Sequence, residues 1–175
     1  MSARVLVVGG AGYIGSVCAA VLRQTGFEVV TFDDLSTGHI EAVQGQFIKG
    51  DIRDRAHLTS VLQEGRFDAV MHFAAKSLVG ESVSNPLRYY DVNMGGTASL
   101  LQAMQDAGVS SLVFSSTCAI YGNPTYLPLD EAHPQNPVSP YGASKKMVEE
   151  MLAACRENEG LRVTTLRYFN AAGCM

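Results

Sequence analysis

Apolar and polar positions follow two rhythms along the chain. Six short runs are almost continuously apolar or β-branched: residues 4–10 (RVLVVGG), 28–34 (EVVTFDD), 46–51 (QFIKGD), 68–74 (DAVMHFA), 111–117 (SLVFSST) and 162–170 (RVTTLRYFN). Continuous runs of this length predict strands covered on both faces, as in a parallel sheet. Between them the apolar positions recur at helical spacing. Residues 15–26 predict a helix ending at Gly26, and residues 85–108 another ending at Gly108. Residues 53–65 predict a helix that buries Leu58, Val61 and Leu62 and stops at Gly65. Residues 140–160 predict a fourth, with Met147, Met151, Leu152 and Cys155 as its apolar stripe. Ser139 followed by Pro140 opens that helix as N-cap and first helical residue. Strands and helices alternating in this way predict an α/β fold built on a doubly wound parallel sheet of six strands. Residues 123–140 hold five of the six prolines and predict an ordered surface loop.

Composition narrows the class. A chain of 175 residues suffices for one domain with a sizeable core. With 47% hydrophobic and 17% charged residues it belongs with soluble globular chains and not with disordered ones. A net charge of −4 offers no basic field to nucleic acid or an anionic membrane. The four cysteines, Cys18, Cys118, Cys155 and Cys174, are scattered without C-x-x-C spacing. They point to a reducing compartment, hence the cytoplasm, and to neither a zinc site nor a disulfide framework. The apolar N-terminal run superficially resembles a secretory signal, but glycines interrupt it, and no stretch reaches the roughly 20 residues of a membrane span.

Those glycines have their own chemistry. Gly9, Gly12 and Gly15 are spaced G-x-x-G-x-x-G, and Gly10, Gly12 and Gly15 also fit G-x-G-x-x-G. Placed between a strand and a helix, they allow a tight turn and close backbone approach to a pyrophosphate at the helix N-terminus. Asp33, 18 residues past Gly15, stands where a carboxylate accepts ribose hydroxyls and repels a 2′-phosphate, so NAD is expected over NADP; the alternative is a turn residue. Asp51 and Ile52 are similarly placed for an adenine ring, or else Asp51 or Asp54 is a carboxylate at a helix N-terminus. Thr117 ends the fifth run, where open α/β sheets bind ligands, and is either a substrate hydroxyl donor or a turn hydroxyl. Tyr141 and Lys145 lie four apart, on one face of the last helix.

GGAGYIG (9–15), HFAAKSLVGES (72–82), SSTCAIYG (115–122), SPYGASK (139–145) and LRYFNAAG (166–173) occur in an order and spacing that resemble the extended short-chain dehydrogenase/reductase superfamily. Within it they are similar to the UDP-glucose 4-epimerase family. The resemblance implies a Rossmann-type NAD-binding domain over residues 1–175, a UDP-hexose substrate, and a homodimer through helices 85–108 and 140–160. It implies that Tyr141, as phenolate, takes the proton of the sugar 4-hydroxyl while C4 passes a hydride to NAD. The 4-keto sugar then turns over before the hydride returns. Lys145 would favour the phenolate and hold the nicotinamide ribose, and Thr117 would orient the reacting oxygen. Tyr13 and Ile14 in the glycine turn, Asp34 and Leu35 beside Asp33, Phe73, Ala74, Ala75 and Lys76, and Phe169 complete the implied cofactor contacts. Asn170 would reach the substrate diphosphate. Phe73 and Phe169 are equally readable as core packing.

The chain departs from the family in places. Thr117 stands where many members carry serine and keeps the hydroxyl. Val92 stands where many carry asparagine, which removes one cofactor contact. The lysine of HFAAKS falls one position earlier than in some members. Members continue for roughly as many residues again, into a smaller domain that closes over the sugar nucleotide, and that domain is expected to be missing from these 175 residues. Three other activities are weighed. A 4,6-dehydratase or decarboxylase usually carries an acid just after the Ser/Thr, where this chain has Cys118 and Ala119. Epimerases of other sugars and a non-catalytic NAD-binding module stay open.

Overall fold

The computed structural model describes residues 2–173, so Cys174 lies outside the described residues. Six strands, β1 (Arg4–Val8), β2 (Glu28–Asp33), β3 (Gln46–Lys49), β4 (Ala69–His72), β5 (Ser111–Thr117) and β6 (Arg162–Tyr168), form one sheet in the order β3-β2-β1-β4-β5-β6. Every neighbouring pair is parallel. The order reverses between β1 and β4, and a crevice opens there at the C-terminal strand ends.

Alternation along β1 explains the two layers. Val5 and Val7 face a small cluster with Ala19 of α1 (Tyr13–Gln24). Leu6 and Val8 face the main core on the other side of the sheet. There α2 (Arg55–Gly65) contributes Leu58, Val61 and Leu62, α5 (Gly96–Asp106) contributes Leu100 and Met104, and α6 (Pro140–Glu159) contributes Val148 and Leu152. Both faces of the central strands are therefore covered, as their continuous apolar runs require. β6 differs. Its exposure alternates from Arg162 onward, because an edge strand with one covered face keeps the two-residue period.

Two helix expectations need correction. The stripe on α6 is displaced: Met147 is 42% exposed, while Val148, omitted from the stripe, is fully buried. Helical spacing admits either residue, and packing into the main core decides. The helix over 53–65 stops at Gly65 as expected, with Arg66 taking the left-handed cap at φ 48°. A Cβ on Gly65 would strike the Phe67 ring, so the glycine serves packing there. Residues 85–108 are not a uniform helix. A short α4 (Pro86–Tyr89) passes through a π-helical segment, Tyr90–Gly95, into α5, and a separate α3 (Val79–Ser84) precedes it. Ser139 caps α6 as expected, its hydroxyl accepting the Gly142 N–H at 3.2 Å.

Candidate active site

An open cleft of about 510 Å³ runs along the C-terminal ends of the strands. The β1–α1 turn forms one wall. Gly9 adopts φ 81°, and a side chain there would run into the Ala74 backbone. A Cβ on Gly15 would meet the Gly9 carbonyl and lie 2.9 Å from the Gly10 Cα, so this glycine lets α1 pack on the turn. Gly10 packs against β2, where its Cβ would lie 2.7 Å from the Thr31 methyl. Gly12 differs, since its Cβ would meet nothing closer than the Gly9 oxygen at 3.4 Å. Its backbone is bare toward the cleft, and it starts α1 without a side-chain cap. Bare backbone at the start of a 12-residue helix is suited to a pyrophosphate. Tyr13 and Ile14 line the same wall.

At the end of β2, Asp33 is nearly buried and lines the cleft beside exposed Asp34. Its two oxygens accept the Ala11 N–H at 3.0 Å and the Leu35 N–H at 2.8 Å, which aim the carboxylate and leave each oxygen a further lone pair. Asp51 and Ile52 line the far end. Asp51 grips the Arg53 guanidinium, which also reaches Asp91 at 2.6 Å, and this holds the Asp51 carboxyl below its usual range. Asp54, not Asp51, caps α2, accepting the His57 N–H at 3.0 Å.

The segment after β4 forms the opposite wall. Phe73, Ala74, Ala75 and Lys76 all line the cleft, and Phe73 also packs against the Val5 and Val7 cluster. The π-helical segment holds this wall in place. Asn93, buried there, accepts the Lys76 N–H at 2.8 Å and donates to the Lys76 carbonyl and the Ser144 hydroxyl, each at 3.0 Å. Ser144 in turn donates to the Tyr141 carbonyl at 2.7 Å. Sequence reading missed this asparagine, because the π-helical segment that turns it inward leaves no local signal. Lys76 Nζ donates to Ser36 Oγ at 3.1 Å, joining the two walls.

Thr117, Tyr141 and Lys145 come together at the base of the cleft. Thr117 keeps a turn role as well, accepting the Ala119 N–H at 3.1 Å. Lys145 is 3% exposed, donates to the Ser115 carbonyl at 2.8 Å and lies 4.6 Å from the centre of the Phe114 ring. Burial lowers its pKa to about 7, with Glu149 acting the other way. Burial also pushes the Tyr141 phenol up, against a hydrogen bond with Thr117. The expectation that Lys145 holds the phenol down is thus not what these side chains show. A site of low dielectric penalises phenolate and ammonium alike. Phe169 lines the cleft at 59% exposure, which removes the core-packing reading. Among the described residues, Leu35 and Asn170 do not line it; Leu35 acts through its N–H on Asp33, and Asn170 is exposed. Among the described residues no cluster of His, Cys, Asp and Glu could hold a metal ion, and no helix is long and apolar enough to cross a membrane.

Comparison with known proteins agrees with this geometry. A UDP-glucose 4-epimerase of Lactobacillus helveticus is 51% identical over 97% of the chain and 52% of its own length. One of Rhizobium leguminosarum bv. trifolii is 52% identical at the same coverages. The chain thus spans about half the length of the curated relatives it matches. Among solved structures, a UDP-glucose 4-epimerase from Brucella ovis in complex with NAD superposes with a TM-score of 0.98 at 48% identity, covering 99% of this chain and 54% of that one. One from Stenotrophomonas maltophila with bound NAD and formylated UDP-arabinopyranose gives 0.93 at 44%, covering 96% and 53%. With the NAD dependent epimerase/dehydratase family matching residues 5–175, the chain belongs to that family.

Proposed function

We propose that residues 1–175 are the cofactor-binding and catalytic domain of an NAD-dependent UDP-glucose 4-epimerase, completed by a second domain that closes over the sugar nucleotide. The observation that carries this reading is one continuous cleft with bare Gly12 backbone on one wall and Thr117, Tyr141 and Lys145 at its base. In it Gly12 and the α1 N-terminus hold the pyrophosphate, Asp33 and Asp34 the adenosine ribose, and Asp51 and Ile52 the adenine. The Asp33 carboxylate favours NAD over NADP by repelling a 2′-phosphate. Phe73 to Lys76 flank the cofactor on the other wall, and Phe169 covers it from β6. NAD supplies, when bound, a hydride acceptor for sugar C4 and a positive charge beside the phenol. Tyr141 takes and returns the 4-hydroxyl proton, Thr117 orients that oxygen, and Lys145 donates to the ribose hydroxyls. Asn170, exposed after β6, is assigned to the substrate diphosphate.

The test is purified protein with NAD and UDP-galactose, UDP-glucose formation being followed by proton NMR and NAD binding by calorimetry. Binding with turnover supports the reading. Binding without turnover supports a second one, a non-catalytic NAD-binding unit. Absence of both sinks both. The reading also places the protein in the cytoplasm as a homodimer through α5, α6 and the π-helical segment between α4 and α5. Part-exposed Met94 and Met147 on those elements support the dimer, and sedimentation tests it.

A further inference from the structure

We propose that Glu149 is a positioning residue for the Tyr141–Lys145 pair, its carboxylate serving as counter-charge to the buried ammonium and fastening α6 to β6. The inference rests on the catalytic reading of that pair given above, and neither the motif nor the cleft lining includes Glu149.

Glu149 lies one helical turn beyond Lys145, on the same face of α6. Its side chain is only 12% exposed. Arg167 of β6 holds it in a fork, with Nη2 2.7 Å from Oε2 and Nε 3.1 Å from Oε1. Ser116, on β5 next to Thr117, donates to the same carboxylate. Arg167 is held in turn by Tyr121, whose hydroxyl accepts at 2.7 Å and whose ring lies 5.2 Å from the guanidinium carbon. One carboxylate thus joins the helix that carries the pair to the two strands whose ends line the cleft. A bidentate pair with a third bond fixes a side chain far better than an exposed ion pair does.

The electrostatics follow from what surrounds Lys145. Its own helix supplies Tyr141 and Glu149. β4 supplies His72, which burial keeps neutral with a pKa of about 3. β5 supplies the Ser115 carbonyl and the Phe114 ring. β6 supplies Arg167, and the turn after β5 supplies Cys118 beside the phenol. Burial drives the ammonium toward neutrality, and Glu149 is the charge that opposes it. A purely structural ion pair makes Glu149 and Arg167 equivalent partners. A counter-charge does not: removing Glu149 takes away the charge that opposes the burial of Lys145, whereas removing Arg167 leaves that carboxylate unneutralised.

The test reads Lys145 directly and needs no turnover. The chain contains four lysines, so ε-¹³C-lysine NMR resolves them, with Lys145→Met assigning the signal. Glu149→Gln is expected to lower the Lys145 midpoint by about one pH unit or more, and Arg167→Gln to raise it, on the Coulomb energy of a charge one helical turn away. Equal midpoints in both variants overturn the proposal. Breaking a buried pair on one side is strongly destabilising. If either single variant fails to fold, Glu149→Gln/Arg167→Gln decides, since it leaves no lone charge. Its midpoint falls if Glu149 is the counter-charge, and an unchanged midpoint overturns the assignment. A shifted midpoint in protein that binds no NAD would leave the positioning role standing and sink the proposed function instead.

Discussion

Glycine-to-alanine changes three residues apart in the first turn should fail in opposite ways. At Gly15 the new Cβ meets the Gly9 carbonyl and lies 2.9 Å from the Gly10 Cα. These are backbone atoms of a turn pinned to β2 and β4, with the Gly9 N–H bonded to the Phe32 carbonyl at 2.8 Å, so they cannot give way by side-chain rotation. Overpacking of this kind costs about 1–3 kcal/mol. For a domain of this size that lowers the melting temperature by roughly 2–12 °C. At Gly12 the Cβ meets only one oxygen, at 3.4 Å, and φ is −79°, a conformation alanine adopts freely. The lost unfolded-state entropy of glycine and its modest advantage as an N-cap oppose each other, so stability should stay within about 0.5 kcal/mol. The methyl group instead covers the bare backbone facing the cleft. Losing one charge-assisted bond from that backbone to a phosphate costs about 1.5–3 kcal/mol, roughly a tenfold to hundredfold weaker NAD affinity. Differential scanning fluorimetry and calorimetric titration with NAD, run on both variants, separate the effects. A Gly12→Ala protein that melts as low as Gly15→Ala, or binds NAD as tightly as wild type, would refute the assignment of that wall.

Tyr141→Phe should abolish turnover in the NMR assay and leave calorimetric NAD binding nearly intact; retained turnover removes Tyr141 as the base. Lys145 carries a pKa lowered from 10.5 to about 7, so between those values the unfolded chain holds the extra proton and stability rises with pH. Lys145→Met should therefore stabilise by up to about 5 kcal/mol at pH 6 and by little near pH 10, and a difference independent of pH in urea titrations contradicts this. His72, lowered from 6.5 to about 3 by burial, should cost stability as pH falls through that window. His72→Gln is expected to flatten the acid limb by about 1.4 kcal/mol per pH unit, and an equally steep limb argues against a buried neutral imidazole. Val148→Ala should cost about 2 kcal/mol and Met147→Ala almost nothing by chemical denaturation; the reverse order would restore the stripe expected from spacing.

Local rules fixed much of this protein before any packing was known. The continuous apolar runs marked the central strands as covered on both faces, though not β6 at the edge, and a glycine-spaced turn between strand and helix belongs at the strand ends. Ser139 and Pro140 set the start of α6, because the cap bond and the proline φ are properties of neighbouring residues. That start places Tyr141 and Lys145 one turn apart, on a helix reaching the cleft, so the core of the candidate site was legible in the chain. Tertiary structure decided what depends on distant residues. Met147 and Val148 fit the same helical period, and only packing into the main core buries the second. Asn93 serves the Lys76 peptide because a π-helical segment turns it inward, a change of phase that no local pattern signals. Glu149 and Arg167 lie 18 positions apart and meet only because β6 pairs beside β5. The protonation of the pair also belongs to the fold. The family resemblance implies a cation that lowers the phenol, whereas burial raises Tyr141 and lowers Lys145, because desolvation is set by everything packed around a group and not by its neighbours in sequence.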